Sequence, residues 1–430
     1  DGSSPVNIVN IARARVVDIN ILKGDVSMKK LIALILVALL AIAPFSAFAE
    51  GVTLTMGSWR NTDAAMVEAL LARYKEMTGV TIVFEPTQSA QYNSVLRMQL
   101  DAGTGPDLYY SRSYATGEEL YTAGFSMDCS DIPGVKENFA ATSLEPWTAV
   151  DGKIFAVPFA AVSQPIYYNK EIFAANGITE LPKTWEEFIA MCQKLKDAGV
   201  TVFANGIASN WDILECVLLG MIPNYITAEE RVAYENKEKK FNDPQFVEIL
   251  EDFAELVPFL PEGFESIDND NANIFFGMGN AAMLIDGSWS CGPLNDDYDI
   301  DWGTMAFPAP EGKTPGVCFH PDMGITGNTA TKHPEEVKAF LAWLATPEGA
   351  QTTADYMPAG FFPMINAPIT FQNERVTEIL ALNQGKNLDA RFIWPKMMDY
   401  YTPMVEQLNA ICRGETTPAA AAEALAALQA

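Results

Sequence analysis

Between Val52 and Tyr110 the chain alternates short β-rich runs with helical ones, and this alternation limits the fold more than any other feature. Val52-Thr53-Leu54-Thr55-Met56 alternates and is β-rich, which reads as a strand. Gly57-Ser58-Trp59-Arg60 ends it. Asn61-Thr62-Asp63 offers N-caps to a helix over 64–78, and Gly79 closes that helix. Val80 to Phe84 predicts a second strand and Gln91 to Ala102 a second helix, stopped by Gly103-Thr104-Gly105-Pro106. Asp107-Leu108-Tyr109-Tyr110 is a third strand. A β-α-β-α-β order implies a parallel sheet with helices on both faces.

A second stretch, Phe275 to Trp289, runs FFGMGNAAMLIDGSW. Its apolar core, Ala281 to Ile285, reads as a short buried strand that stops at Asp286-Gly287-Ser288-Trp289. In an open α/β sheet ligands sit at the strand ends, so Trp289 would stand at the mouth of a cleft. The same pattern fits a core tryptophan after an ordinary turn.

The remaining chain continues the mixed pattern. Asp151-Gly152-Lys153 reads as a turn, followed by strands over 154–159 and 166–170. Thr184 and Glu187 form a capping box for the next helix, which makes Trp185 structural. Residues 199–260 are mostly helical by period, with Asn210-Trp211-Asp212 opening one helix. Glu235 to Lys240 is expected to be a solvated loop, and Asp268 to Asn273 a polar one. Trp302 to Pro310 is a strand. Helices are expected over 335–345, where Val337, Phe340, Leu341 and Leu344 share a face, and over 375–383, 403–413 and 418–429. Thr417 caps the last.

Length and charge bound the function. With 430 residues the chain can form two or more domains. A net charge of −27 sets it against nucleic acid and anionic membrane surfaces. The sequence shows no Lys/Arg cluster for a strongly anionic ligand, so an uncharged ligand fits better. Six cysteines, Cys129, Cys192, Cys216, Cys291, Cys318 and Cys412, are scattered without a CxxC, which argues against a metal site. Disulfides are allowed in an exported chain, with no pairing assigned. Only His320 and His333 are present as histidines, and no GxSxG, HExxH, P-loop or strand-borne GxGxxG occurs. No catalytic residue and no cofactor is therefore assigned.

Met28-Lys29-Lys30, the apolar run Leu31 to Ala43, and Ala47-Phe48-Ala49 read as a signal peptide over 28–49, with a mature start at Glu50. Residues 1–27 are expected to be upstream sequence translated in frame or an N-terminal extension. No cysteine follows the apolar run, so a periplasmic or extracellular protein without a lipid anchor is expected.

Sugars present apolar C–H faces and a rim of hydroxyls. A site for them needs flat aromatics beside carboxylate, amide or guanidinium groups. Several such pairs fall at strand ends or helix starts: Trp59-Arg60, Tyr110-Ser111-Arg112, Asn210-Trp211-Asp212, Trp289, and Trp394 within Arg391-Phe392-Ile393-Trp394-Pro395. Each has a structural alternative. Tyr110 and Trp394 read equally as core, Trp211 as packed under its helix, and Arg112 as partner of a nearby carboxylate. Trp59, with Ser58, Arg60 and Asn61 around it, is expected at an exposed edge.

The run from Gly279 to Trp289 follows GxxAMxxxGxW, and Gly103 to Leu108 follows GxxPDL. Both resemble the solute-binding proteins of ABC importers in their sugar-binding branch. So do DGKIFAVPFAAVSQPIYYNKEIFAANGI and HPEEVKAFLAWLATPEGAQ, in the same order. The resemblance implies an α/β, two-lobed periplasmic-binding-protein fold of type II, its lobes joined by hinge strands. It places one lobe at 50–162 plus 319–373 and the other at 163–318 plus 374–430. Hinge strands are implied at 161–164 and 316–320, with a further crossover at 358–363. It implies capture of a mono- or oligosaccharide by a monomer, delivery to the permease subunits in the membrane, and no catalysis. The implied ligand contacts are Trp289, Trp59, Arg60, Tyr110, Arg112, Trp211, Asn210, Trp394, Asp107 and Gln164. Ser163, His320 and Asp322 lie near the hinges and rank lower. Two alternatives stay open: the same fold binding a polyamine or other small solute, and a secreted glycoside-acting enzyme using two carboxylates.

Overall fold

The computed structural model describes residues 51–429. The expected signal peptide, 28–49, and the segment before it lie outside the described residues.

The opening alternation folds as its pattern requires. Strand β1 (Thr53–Ser58) lies parallel between β2 (Thr81–Pro86) and β3 (Leu108–Arg112). Helix α1 (Ala64–Thr78) joins the first two, and α2 (Ser89–Asp101) leads to the third. Gly79 ends α1 at φ 81°, where its amide caps the Lys75 carbonyl and any side chain would strain the backbone.

The sheet is not parallel throughout. Strand β4 (Val157–Ser163) and the long β8 (Gly316–Gly327) complete it in the order β2-β1-β3-β8-β4. β8 runs antiparallel to both its neighbours. A smaller second sheet has β5 (Ile166–Asn169) between β6 (Met283–Ile285) and β7 (Trp302–Met305), antiparallel to each. It packs into a helical core that includes Phe188, Phe203, Leu214, Leu250, Phe253 and Leu408. The large apolar side chains of that core make it the main source of stability in this half.

Chain passages between the sheets lie side by side. Only Gln164 and Pro165 separate β4 from β5. Phe319 in β8 pairs with Ser163 at the end of β4, while Ile325 pairs with Val157 deep in the first sheet. Phe362 exchanges two backbone hydrogen bonds with Ala161, of 2.8 and 2.9 Å. β9 (Asn387–Asp389) pairs with the first residues of β8.

Several local expectations need correction. Asp268 to Asn273 is not a loop: Asp268 caps helix α3 (Asn269–Gly277) by accepting from the Asn271 amide, and Ala272 and Phe276 bury its inner face. Polar residues were concentrated in the first turn, where they satisfy free amides. Glu235 is not solvated. Its side chain is 2% exposed, paired with Arg231 and lying 3.7 Å from Lys396 Nζ. Thr184 caps its helix as expected, but the Glu187 carboxylate reaches back to the Lys183 amide at 2.7 Å, one residue short of a closed box. Trp185 is buried and donates to Glu255, which is the structural role expected. All six cysteines are buried free thiols, so the disulfides that export would allow are not formed.

Candidate functional site

The passages between the sheets bring together charges that lie far apart in the sequence. Arg391, in the segment after β9, places Nη1 2.6 Å from Glu215 Oε2 and 3.4 Å from Asp322 Oδ1. Glu215 comes from a π-helical turn (Ile213–Leu218), and Asp322 from β8. The Gln164 amide, oriented to satisfy both neighbours, donates to the Cys318 carbonyl and accepts from Arg391 Nη2, each at 3.1 Å. Tyr401 donates to Glu215 at 2.6 Å. On the other side, Arg112 Nη1 lies 3.9 Å from Asp322, and its guanidinium sits 3.7 Å over the Trp59 ring. One line of contacts therefore runs Trp59, Arg112, Asp322, Arg391, Glu215, Tyr401, from the first sheet to the second half.

Burial opposes charge throughout this line, and neighbours decide the outcome. For Arg391, burial works against the cation, but Glu215 and Asp322 more than offset it and hold its pKa above the ordinary value. For Arg112, burial wins and lowers the pKa despite Asp322 and Glu215. His320 is pushed well below its usual range by burial, with Arg391 and Arg112 adding to the effect, so it is a neutral imidazole. Its Nδ1 accepts from the Arg391 amide at 3.4 Å, leaving Nε2 as the N–H, without a partner.

Aromatic rings flank the ion pairs. Trp289 meets Trp211 edge to face, with centroids 5.9 Å apart. The Arg391 guanidinium lies 5.6 Å from the Trp289 ring and 5.7 Å from the Trp394 ring. His320 lies 5.0 Å from Trp394 and stacks on Tyr114 at 6.2 Å. Tyr114 has φ 56°, a strained conformation for a bulky side chain and of the kind that clusters at working sites.

The Trp289 loop is held rigidly. Tyr167 donates to the Gly287 carbonyl at 2.9 Å. Ser288 Oγ accepts from the Ser163 amide at 3.0 Å and donates to the Gly360 carbonyl at 2.5 Å, tying the loop to two of the passages. The Trp289 ring folds back over Gly287, where an added Cβ would lie 2.2 Å from ring carbons.

The structure sorts the expected contacts. Trp289, Trp211, Trp394, Gln164, Arg112 and Trp59 gather around Arg391 and Asp322. Arg60 lies close by, paired bidentately with Asp63 and 5.0 Å over Phe361. Tyr110 packs on Trp59 at 5.5 Å, fully buried, its hydroxyl without a partner. Asn210 is exposed at the start of the Trp211 turn. Trp59 is 4% exposed and not at an open edge, because Tyr92, Tyr110 and Arg112 cover it. Asp107 does not join the group. It precedes β3, at the opposite end from Arg112, and ties Thr55 and Thr331 together.

Glu215, Arg391, Tyr401 and Tyr114, which the sequence did not single out as contacts, stand in this group, together with Asp322 and His320, which it ranked lower. Glu215 carried a signal, since an acid inside the apolar run ILECVL is buried only with a partner. The expected absence of basic groups also needs correction. Arg60, Arg112 and Arg391 converge, each matched by a carboxylate.

Two α/β halves joined by adjacent passages, meeting over aromatics and shared ion pairs, have the architecture of a two-lobed binding protein. Residues 57–351 match the bacterial extracellular solute-binding proteins, and the chain belongs to that family. It is 26% identical over 346 residues to an uncharacterized ABC transporter extracellular-binding protein, PH1039, of Pyrococcus horikoshii, covering 74% of this chain and 79% of the relative. It is 27% identical over 217 residues to the multiple sugar-binding protein of Streptococcus mutans, covering 48% of this chain and 50% of the relative. Among solved structures, a chitin oligosaccharide binding protein superposes with a TM-score of 0.75 at 22% identity, over 89% of this chain and 98% of the other. No helix among the described residues is long and apolar enough to cross a membrane.

Proposed function

We propose that this protein captures an uncharged carbohydrate between its lobes, outside the cytoplasm, and delivers it to the membrane subunits of an ABC importer. The observation that carries the reading is the Trp211–Trp289 pair set beside Arg391 and its two carboxylates. Tryptophan faces match the apolar faces of sugar rings, and planar guanidinium and carboxylate forks match paired hydroxyls. Arg112, Arg391, Glu215 and Asp322 balance in formal charge, which leaves no surplus to recruit a phosphate or a polyamine. The sugar-binding names of the similar proteins support the same class.

Ligand held by Trp289 and Trp211 on one side and by Arg112, backed by Trp59, on the other would favour the closed form, because only that form makes both sets of contacts. The moving bodies would be 50–162 plus 319–373 and 163–318 plus 374–430, hinged at the three passages. The protein works as an exported monomer without a lipid anchor and without catalysis. Both cleft carboxylates are committed to arginine, which supports binding over acid–base hydrolysis.

Thermal melting of residues 50–430 against neutral oligosaccharides, sugar phosphates, polyamines and chromogenic glycosides tests the reading. A ligand at a hundredfold its Kd adds about 2.7 kcal/mol. Stabilisation by a neutral sugar, lost in Trp289→Ala, supports it. Stabilisation only by a polyamine, or release of chromophore, contradicts it.

A further inference from the structure

Behind the two tryptophans lies a cluster that the sugar reading does not use. Asp212 follows Trp211 in its helical turn, and Asp286 opens the loop that carries Trp289. Donor atoms of Asp212, Cys216 and Asp286 all lie within 4.8 Å of one another, and all three side chains are buried. The two carboxyls are held very differently. Asp286 accepts from the Gly287 amide at 2.7 Å, Ser290 Oγ at 2.6 Å, Asn273 Nδ2 at 2.8 Å and Cys216 Sγ at 3.5 Å. Asp212 is 1% exposed, and neither of its oxygens has a hydrogen-bond partner. Asn269, also buried, has an unpartnered amide nitrogen and faces the same carboxyl. Among the described residues neither carboxyl is ion-paired with lysine or arginine.

Two carboxylates this close in a dry site cannot both stay ionised without a cation. Asp286 has four donors and Asp212 has none. We propose that Asp212 and Asp286 hold a single proton between them, and that this proton keeps Trp211 seated on Trp289, so that the ligand platform loosens when rising pH removes it. The lost proton goes to solvent, and the two like charges then push the Trp211 turn away from the Trp289 loop.

The surroundings agree. Burial first, and Asp286 second, raise Asp212 well above the ordinary carboxylate range; Cys216, Asn205 and Asn269 stand near enough to offset part of this, but none closes a hydrogen bond to it. From its own element it faces Cys216, with Glu215 adjacent. From the strand-end loop it faces Asp286, which Ser290 and Asn273 bond in turn, and from the neighbouring segments Asn205 and Asn269. Burial likewise raises the Cys216 thiol, with Asp286 and Asp212 adding and Arg391 offsetting part, so it stays protonated.

An unfolded aspartate loses its proton near pH 4, whereas folded Asp212 keeps it. The folded state then binds more protons, so stability falls as pH rises through that point until Asp212 also ionises. Asn has the shape of a protonated Asp and does not titrate. Asp212→Asn is therefore expected to melt higher than wild type near pH 8, with the gap closing near pH 4.

The test is melting and tryptophan emission of unliganded wild type and Asp212→Asn from about pH 4 up to the alkaline limit of the fold, with and without a chelator and with added zinc. A higher-melting variant, and a pH-dependent emission present in wild type and absent in the variant, support the proposal. A variant that melts lower near pH 8 shows that Asp212 works as a carboxylate and overturns it. So does chelator-sensitive or zinc-enhanced melting of wild type, which would mean a held metal. The ligand arm alone rests on the sugar reading: affinity that declines with pH in wild type but not in the variant supports the coupling, and flat affinity in both overturns it. Failure of every sugar to bind would sink the sugar reading while leaving the unliganded melting result to decide this one.

Discussion

Arg391 Nη1 sits 2.6 Å from Glu215 Oε2 and 3.4 Å from Asp322 Oδ1, so one guanidinium ties the π-helical turn to β8. Both carboxylates are nearly buried and have few other partners. Removing the cation leaves Glu215 with the Tyr401 hydroxyl and Asp322 with Arg112 at 3.9 Å, in a poorly solvated place. Breaking a buried pair by deleting one partner costs about 3–5 kcal/mol. Arg391→Ala is expected to lower unfolding stability by about that amount in urea titration. A change under about 1 kcal/mol would mean that the two carboxylates are solvated or find other partners.

Trp289 and Trp211 form the aromatic platform, and each is only partly buried. Single alanine variants are expected to lose about 2 kcal/mol of ligand affinity, about thirtyfold in Kd. Trp185→Ala, which lies in the helical core away from the cleft, should instead lower melting and leave Kd unchanged. Calorimetric titration and melting together separate the two patterns.

Gly287 offers a sharper test of the same platform. Its backbone is ordinary, at φ −73°, so alanine brings no strain of its own. The atoms nearest to the added Cβ are carbons of the Trp289 ring, the first at 2.2 Å. That ring is free to swing outward because it is partly exposed. Gly287→Ala is expected to cost less than about 1 kcal/mol of stability yet at least about tenfold in affinity. Unchanged affinity would remove Trp289 from the ligand site.

Asp252 gives a pH prediction unrelated to the ligand. Burial raises its pKa to about 6, with Glu255 and Glu248 adding and the Tyr225 hydroxyl bond, 2.5 Å long, offsetting part. Its folded pKa exceeds its unfolded one, so this group's contribution is fully present below about pH 4 and declines as pH rises through about 6. Asp252→Asn should flatten the stability profile over that window, as read by urea unfolding at stepped pH. An unchanged slope would show that Asp252 titrates normally.

The local elements were legible because their signals are local. Gly79 after a periodic run ended α1, and Thr417 with Pro418 opened the last helix, where the Thr417 hydroxyl accepts from the Ala420 amide at 3.3 Å. The loop carrying Trp289 was visible from its Gly turn and its motif. The charged line was not, since Arg112, Glu215, Asp322 and Arg391 become neighbours only when β8 inserts antiparallel between β3 and β4. Nothing in the period of a strand states which neighbour it takes or in which direction. Trp59 misled for a related reason: its polar sequence neighbours suggested water, but Arg112 arrives to cover it. Asp107 lay in a matched motif, yet its carboxylate serves the turn before β3.

The central claim is a neutral sugar held between the lobes, and equilibrium calorimetry tests it most directly. Neutral oligosaccharides, a sugar phosphate and a polyamine are titrated into wild type and into the Trp211→Ala/Trp289→Ala double variant. The account predicts saturable one-to-one binding of a neutral sugar to wild type and its loss in the variant. Binding of only the charged solutes, or sugar binding indifferent to both tryptophans, would contradict it.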